Sequence, residues 1–184
     1  MSENPSVRDA LRRHLVDHAL RTDGPFTLRS GQTSDWYLDA RRTTFDGEGA
    51  TLVGEAVLAV LEPHVSAVGG MTMGADPIAV ATAVVAYAHA RRLRAFSVRK
   101  AEKAHGTGGR LVGPIGRGDR VAVVEDTTTT GGALVEAITV LGDHEIDVVQ
   151  VVALVDRSGG AVAALMQARG LPYTALFEPA DLGV

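Results

Sequence analysis

The stretch from Val121 to Ala133 constrains the fold of this chain most strongly, because it joins a strand, a turn and a helix. Four apolar residues predict a short buried strand, which Glu125 and Asp126 end. Hydroxyls and glycines then lead into a predicted helix, and these residues are Thr127, Thr128, Thr129, Thr130, Gly131 and Gly132. Backbone N–H groups at a helix N-terminus favour a phosphate, and glycine lets the backbone approach the anion closely.

The two acids beside this turn cannot hold the phosphate, because like charges repel. Carboxylates suit sugar hydroxyls or a magnesium ion, so the junction predicts a site for a phosphorylated sugar. It is not a Walker loop, since no Gly-Lys-Ser/Thr follows, and it lacks the glycine spacing of a dinucleotide fingerprint. The alternative is a tight strand-to-helix turn in which a threonine caps the helix and the acids are solvated.

Hydrophobic periodicity predicts alternating strands and helices from about residue 50 onward. Such alternation predicts an α/β fold, with a mostly parallel twisted sheet and helices on both faces. Ligands in such sheets bind beyond the carboxyl ends of the strands, where the acidic pair falls. The predicted strands are 65–69, 95–98, 120–125, 146–155 and 172–177, and the predicted helices are 6–21, 48–62, 77–92, 132–142 and 159–169.

Composition indicates one globular domain of 184 residues, in which residues 1–47 contribute a small hood lobe outside the alternation. The net charge of −4 argues against a general nucleic-acid binder. No apolar run reaches membrane-spanning length, and the N-terminus does not resemble a secretory signal. The chain has no cysteine, which excludes disulfides and thiolate sites and is compatible with a cytoplasmic location.

The segment from Arg99 to Gly118 is polar, glycine-rich and without periodicity. Its first part carries four cations against one acid, Glu102, and these cations are Arg99, Lys100, Lys103 and Arg110. A basic loop of this kind can close over a polyanion and exclude water. The alternative is a solvated surface loop. The histidines outside this segment, which are His14, His18, His64, His89 and His144, show no metal-ligand spacing and are expected on the surface.

Together these stretches resemble the type I phosphoribosyltransferases. The junction is similar to the phosphoribosyl pyrophosphate (PRPP) motif of that class, and Arg-Lys-x-x-Lys-x-His-Gly from Arg99 resembles the catalytic loop of orotate phosphoribosyltransferases. Phe26 to Arg41 is similar to the N-terminal signature of the same family, and Gly69 to Ala79 resembles its second anion loop. The resemblance runs from about Phe26 to Asp181. It departs from the family pattern at Arg29 and Met73, where many relatives carry lysine.

This resemblance implies transfer of phosphoribosyl from PRPP to orotate, with Mg²⁺, by a homodimer that binds neither nucleic acid nor membranes. It implies that Lys103, His105, Glu125 and Asp126 are catalytic, that the two acids hold the metal or the ribose hydroxyls, and that Thr127 to Gly132 bind the 5′-phosphate. Arg99 and Lys100 would contact the diphosphate, and Arg29 would bind substrate in a role that the resemblance leaves open. Tyr37 and Leu38 would lie over the base, and Arg157 would pair with the orotate carboxylate. For Arg157, the alternative is a salt bridge to Asp156 or another nearby acid.

Two other classes of protein would contain the same strand–turn–helix junction. A purine phosphoribosyltransferase would lack the arginine for a carboxylate. A regulator with this fold would sense PRPP while binding nucleic acid, although the acidic balance argues against it.

Overall fold

A six-stranded sheet forms the centre of the computed structural model, which describes residues 6–27, 31, 33–102 and 109–184. Its strands are β5 (Ala67–Met71), β6 (Arg94–Val98), β7 (Leu111–Val112), β8 (Arg120–Thr128), β9 (Asp147–Asp156) and β10 (Tyr173–Phe177). Their order in the sheet is β10-β9-β8-β5-β6-β7, and all neighbouring strands are parallel except the short β7, which is antiparallel to β6. The mostly parallel sheet predicted from the sequence is confirmed.

Helices cover both faces of the sheet, as predicted. Side chains of β8 alternate between the two layers: Ala122 and Val124 face one core cluster, and Val121 and Val123 face the other. The first cluster holds residues of α1 (Val7–His14), α3 (Gly47–Val60) and α4 (Ala75–Ala88), and the second holds residues of α5 (Gly132–Asp143) and α6 (Ala161–Gln167). Valine-rich central strands are therefore buried on both sides, which is typical of parallel sheets.

The N-terminal segment packs onto the main core. Leu11, Leu15 and Leu38 belong to the same buried cluster as Val53 and Phe177. The predicted helix over residues 6–21 is shorter than expected, because α1 ends at His14 and a π-helical turn, Leu15–Ala19, follows it. Two small antiparallel pairs then form from β1 (Leu20–Arg21) with β4 (Tyr37–Leu38) and from β2 (Phe26–Thr27) with β3 (Thr33–Ser34), and a short helix, α2 (Arg41–Thr44), comes next.

The expectation that His14 lies on the surface is wrong. Its side chain is only 7% exposed, with Nδ1 3.2 Å from Thr43 Oγ1 and Nε2 3.1 Å from Asp46 Oδ1. Asp46 also caps α3, since its carboxylate accepts from the N–H groups of Glu48 and Gly49. His14 therefore fastens α1 to the corner where α2 passes into α3.

The prediction that the acidic pair ends its strand is also wrong. Strand β8 continues to Thr128, because β9 is long enough to pair with it as far as Asp156. Strand β5 pairs with β8 only up to Val123. Beyond that residue β8 is paired on one side only, and its other side opens toward the loop that follows β5.

Candidate active site

A cavity of about 720 Å³ opens between the carboxyl ends of β5 and β8. Chain connections leave this point in opposite directions across the sheet, which is where ligands bind in open α/β folds. The cavity is lined by Tyr37, Leu38, Asp39, Ala40 and Arg41, by Met71, Thr72, Met73, Gly74 and Lys100, and by Glu125, Asp126, Thr127, Ala133 and Glu136. Residues from four of the stretches singled out in the sequence thus meet in one place.

Glu125 is largely buried in this lining, and its Oε2 has no hydrogen-bond partner among the described residues. Burial raises the pKa of Glu125 to about 8, with further contributions from the charge of Asp126 and a hydrogen bond to it. Lys100 offsets part of this effect. At neutral pH Glu125 therefore mostly holds its proton, until a ligand brings positive charge or hydrogen-bond donors to the cavity.

Asp126 is held against the loop that follows β5. Its Oδ1 accepts from the N–H of Thr127 at 2.7 Å. A side chain at Gly74 would place its Cβ 2.6 Å from the same oxygen, so only glycine lets this loop approach the carboxylate so closely. The close approach closes one wall of the cavity.

The turn after β8 leads directly to the N-terminus of α5. Thr127 lines the cavity, Thr128 is buried at the end of the strand, and Thr129 and Thr130 are exposed. Gly131 precedes the helix with a φ of 74°, and a Cβ there would lie 2.9 Å from Leu165 Cδ2. Gly131 has no side chain to cap the helix, and the Gly132 amide makes only a long contact, 3.4 Å, to Thr130 Oγ1. The first turn of this 12-residue helix can therefore donate to an anion.

The basic segment enters the site through Lys100, which lines the cavity. Arg110 is engaged elsewhere: its guanidinium pairs with Glu136 on α5, and its Nε donates to the carbonyl of Arg99 at 2.7 Å. The amide of Arg99 in turn donates to the carbonyl of Arg110 at 2.8 Å. The two ends of the segment are therefore fastened together beside α5. Lys103 and His105 lie outside the described residues.

Part of the hood contributes to the same cavity. Tyr37 lines it from β4, and its ring lies 5.9 Å from the ring of Phe26. Leu38 also lines the cavity but is mostly buried in the core. Arg29 lies outside the described residues.

Arg157 is absent from the cavity lining and lies beside it, over the ring of Trp36 at 4.2 Å from the centroid. Burial lowers the pKa of its guanidinium, although nearby Tyr37 opposes that shift. The alternative of a bond to Asp156 is not observed, since Asp156 accepts from Tyr173 Oη at 2.9 Å and from the Ser158 amide at 2.7 Å. Within the described ranges no acid pairs with Arg157, which is thus positioned to receive an external carboxylate.

Three charged residues of the lining were missed in the sequence. Asp39 and Arg41 follow the aromatic residues of the hood, where the sequence pattern was interpreted only as a cover for the base. Glu136 lies one turn into α5 and looks like an ordinary surface position of an amphipathic helix. No local signal marks any of them, because the tertiary fold brings them to the cavity.

The described residues contain neither a ready-made metal cluster nor a membrane span. No three of their His, Asp or Glu side chains form a group that could hold a metal ion. Within the same part of the chain, no helix has the combined length and apolar character needed to cross a bilayer.

The chain is similar to named proteins over nearly its full length. It is 45% identical over 179 residues to the orotate phosphoribosyltransferase of Streptomyces avermitilis, covering 97% of this chain and 98% of that protein. Its fold matches the crystal structure of Mycobacterium tuberculosis orotate phosphoribosyltransferase in complex with Fe(III) dicitrate, with a TM-score of 0.84, 38% identity and coverage of 97% and 99%. The complex of that enzyme with 5-phospho-α-D-ribosyl 1-diphosphate matches with a TM-score of 0.79, 35% identity and the same coverage. No protein-family model matches the chain.

The raised pKa of Glu125 predicts a specific dependence of stability on pH. Between pH 4.5 and about 8, the unfolded chain has released this proton while the folded protein keeps it. The free energy of unfolding should therefore fall as the pH rises through this window, by about 1.4 kcal/mol for each pH unit. Glu125→Gln removes the titrating group, so the variant should become more stable than the wild type by roughly a few kcal/mol near pH 8.

Chemical denaturation at several pH values measures this difference. Glu102→Gln is the matched control, because it makes the same change at an exposed glutamate and should keep the wild-type slope. Equal pH dependence in the wild type and in Glu125→Gln would contradict the burial of Glu125.

Proposed function

The chain belongs to the orotate phosphoribosyltransferase family, and from that premise we propose which of its residues carry out the transfer. The enzyme moves the 5-phosphoribosyl group from PRPP to orotate, which yields orotidine 5′-monophosphate and diphosphate in pyrimidine biosynthesis. The bond from ribose C1 to the diphosphate oxygen breaks, and a bond from C1 to a ring nitrogen of orotate forms. The observation that carries the assignment of roles is one cavity with an acidic pair, a helix N-terminus and a lysine on its walls.

We propose that the 5′-phosphate binds at the turn from Thr127 to Gly132. The amides at the start of α5 and the hydroxyls of Thr127, Thr129 and Thr130 supply donors without a charged side chain. Thr128 contributes through its backbone position, since its side chain is buried. With the 5′-phosphate fixed at this turn, the ribose of PRPP is held close to the end of β8.

Glu125 and Asp126 then face the ribose. Their oxygens can accept from its hydroxyls, and their negative charge stabilises C1 as it becomes cationic while the diphosphate leaves. The protonated state of Glu125 in the free protein fits this role, because its charge develops only when a cationic centre or donor arrives to offset it. No covalent nucleophile is needed.

Magnesium is the proposed cofactor. The residues fit it, since Glu125 carries a buried oxygen without a partner among the described residues and Asp126 lies next to it. Two protein carboxylates are too few for a cage of their own but suit a metal that keeps water and substrate oxygens as ligands. When bound, Mg²⁺ would offset the negative charge of the diphosphate.

The departing diphosphate is assigned to the basic segment. Lys100 already lines the cavity, and Arg99 is next to it in the chain. Lys103 and His105 complete the assignment, with His105 as a proton donor or acceptor, as the family resemblance implies. Their role stays a prediction, as do that of Arg29 and the cytoplasmic location.

Orotate is assigned to the space between Tyr37 and Arg157. A guanidinium fork matches a carboxylate in two-point contact, and stacking on Trp36 fixes the plane of the Arg157 fork. Tyr37 and Leu38 would cover the base from the hood side. A purine has no carboxylate for Arg157, so this residue separates the two substrate classes.

The first test measures loss of orotate absorbance with PRPP and Mg²⁺ present. The wild type should turn over orotate, and Arg157→Gln should raise the KM for orotate by roughly 10- to 100-fold, because a charge-assisted contact is lost. The KM for PRPP should stay within about twofold of the wild-type value, since the phosphate sites are untouched. Arg169→Gln, at an exposed arginine after α6, is the control and should change neither constant. An unchanged KM for orotate in Arg157→Gln would remove this residue from the site.

We also propose that the enzyme is a homodimer that uses the outer face of α4. Val80, Val84 and Tyr87 recur at helical spacing on this face, and Val84 and Tyr87 are 65% and 78% exposed. Phe45, at 62% exposure, extends the patch across a neighbouring apolar hollow of about 370 Å³. Large apolar side chains exposed side by side are typical of an interface between proteins.

Light scattering after size-exclusion chromatography tests the dimer. The wild type should have twice the mass of the chain, and Val84→Glu combined with Tyr87→Glu should be monomeric, because two buried carboxylates would have no partner. Val7→Glu changes an exposed valine on α1 and should leave the mass unchanged. A dimer that survives both substitutions on α4 would exclude this face.

A further inference from the structure

Few cations on the cavity wall are available to PRPP. The described residues of the wall include four acids, of which Glu136 pairs with Arg110 and Glu125 mostly holds its proton. Asp39 and Asp126 remain as carboxylates, and the cationic side chains of the described wall are those of Arg41 and Lys100. PRPP carries its greatest negative charge on the diphosphate, and close carboxylates would repel it. Each described cation of this wall therefore matters for binding.

Arg41 is held in an orientation that leaves part of its guanidinium available. It is the first residue of α2, and its Nε donates to Asp39 Oδ1 at 2.8 Å. Both terminal nitrogens, Nη1 and Nη2, have no acceptor within residues 6–27, 31, 33–102 and 109–184. The bond to Asp39 therefore fixes the plane of the fork and keeps the outer edge free for two-point contact with an anion.

The bond to Asp39 raises the pKa of Arg41, and the guanidinium is also close enough to Asp126 for that carboxylate to add to the shift. It also shares the cavity with Met73, whose side chain is 58% exposed in the loop after β5. The loop after β5 brings only uncharged residues to the cavity, from Met71 to Gly74. Arg41 reaches the same cavity from the hood side of the wall.

We propose that Arg41 binds the diphosphate group of PRPP and supplies positive charge to a cavity wall on which the loop after β5 is uncharged. This inference rests on the proposed function and adds a residue of the hood to the diphosphate site. A planar guanidinium suits two phosphate oxygens better than a single ammonium does. Asp39 acts as a positioning residue, because its carboxylate accepts from Nε of Arg41 and so fixes the fork.

Calorimetry with two separate ligands tests the contact directly. Magnesium diphosphate represents the leaving group, and ribose 5-phosphate represents the other end of PRPP. Arg41→Gln should weaken diphosphate binding by about 10- to 100-fold and leave ribose 5-phosphate within about twofold. Arg42→Gln is the matched control, because it removes the same charge from the next residue of α2, which is exposed and does not line the cavity.

A second variant separates a direct contact from a structural effect. Adding Met73→Lys to Arg41→Gln puts a cation in the loop after β5, which lines the same cavity, and diphosphate affinity should recover at least about tenfold relative to Arg41→Gln. The KM for PRPP should rise in Arg41→Gln and fall again in the double variant. Three results would overturn the proposal: equal diphosphate affinity in Arg41→Gln and Arg42→Gln, equal loss for both ligands in Arg41→Gln, or no recovery with Met73→Lys.

The proposed function is tested separately, by turnover of orotate in the wild type. The diphosphate titrations need no turnover, so a failure of Arg41 to bind diphosphate and a failure of the orotate reaction would appear in different measurements.

Discussion

The site depends on how strand β8 ends. Its pairing with β9 continues to Thr128, whereas its pairing with β5 stops at Val123. Glu125 and Asp126 are therefore held rigidly by one neighbour and face an open space on the other side. The sheet thus delivers two carboxylates to the edge of the core, and the turn that follows them leads into the N-terminus of α5 within a few residues.

The environment of this acidic pair is electrostatically unfavourable in the free protein. Burial and the neighbouring Asp126 keep a proton on Glu125, and Asp126 itself makes no salt bridge among the described residues. A ligand that brings magnesium and a developing positive charge at ribose C1 stabilises both carboxylates. Because Asp126 repels the diphosphate end of the ligand, that end needs cations from a loop and, as we infer, from Arg41 in the hood.

The strand–turn–helix junction could be predicted from the sequence because its signals are local. Apolar residues, acids, threonines and glycines follow each other directly, and the valine-rich runs indicate buried parallel strands. Other features could not be predicted from the sequence, because they depend on partners that are distant along the chain. The length of β9 sets how far β8 extends. The burial of His14 depends on its contacts with Thr43 and Asp46. Arg41 and Glu136 reach the cavity only because the hood and α5 pack around it.

The central claim is that the end of β8 and the start of α5 together hold a sugar phosphate. A titration with ribose 5-phosphate, in which NMR monitors the shifts of the backbone amides, tests this claim most directly. The account predicts that the amides of residues 129–133 and of Glu125 and Asp126 shift most, and that they do so at the same ligand concentration. Shifts elsewhere on the protein, with these amides unchanged, would contradict it.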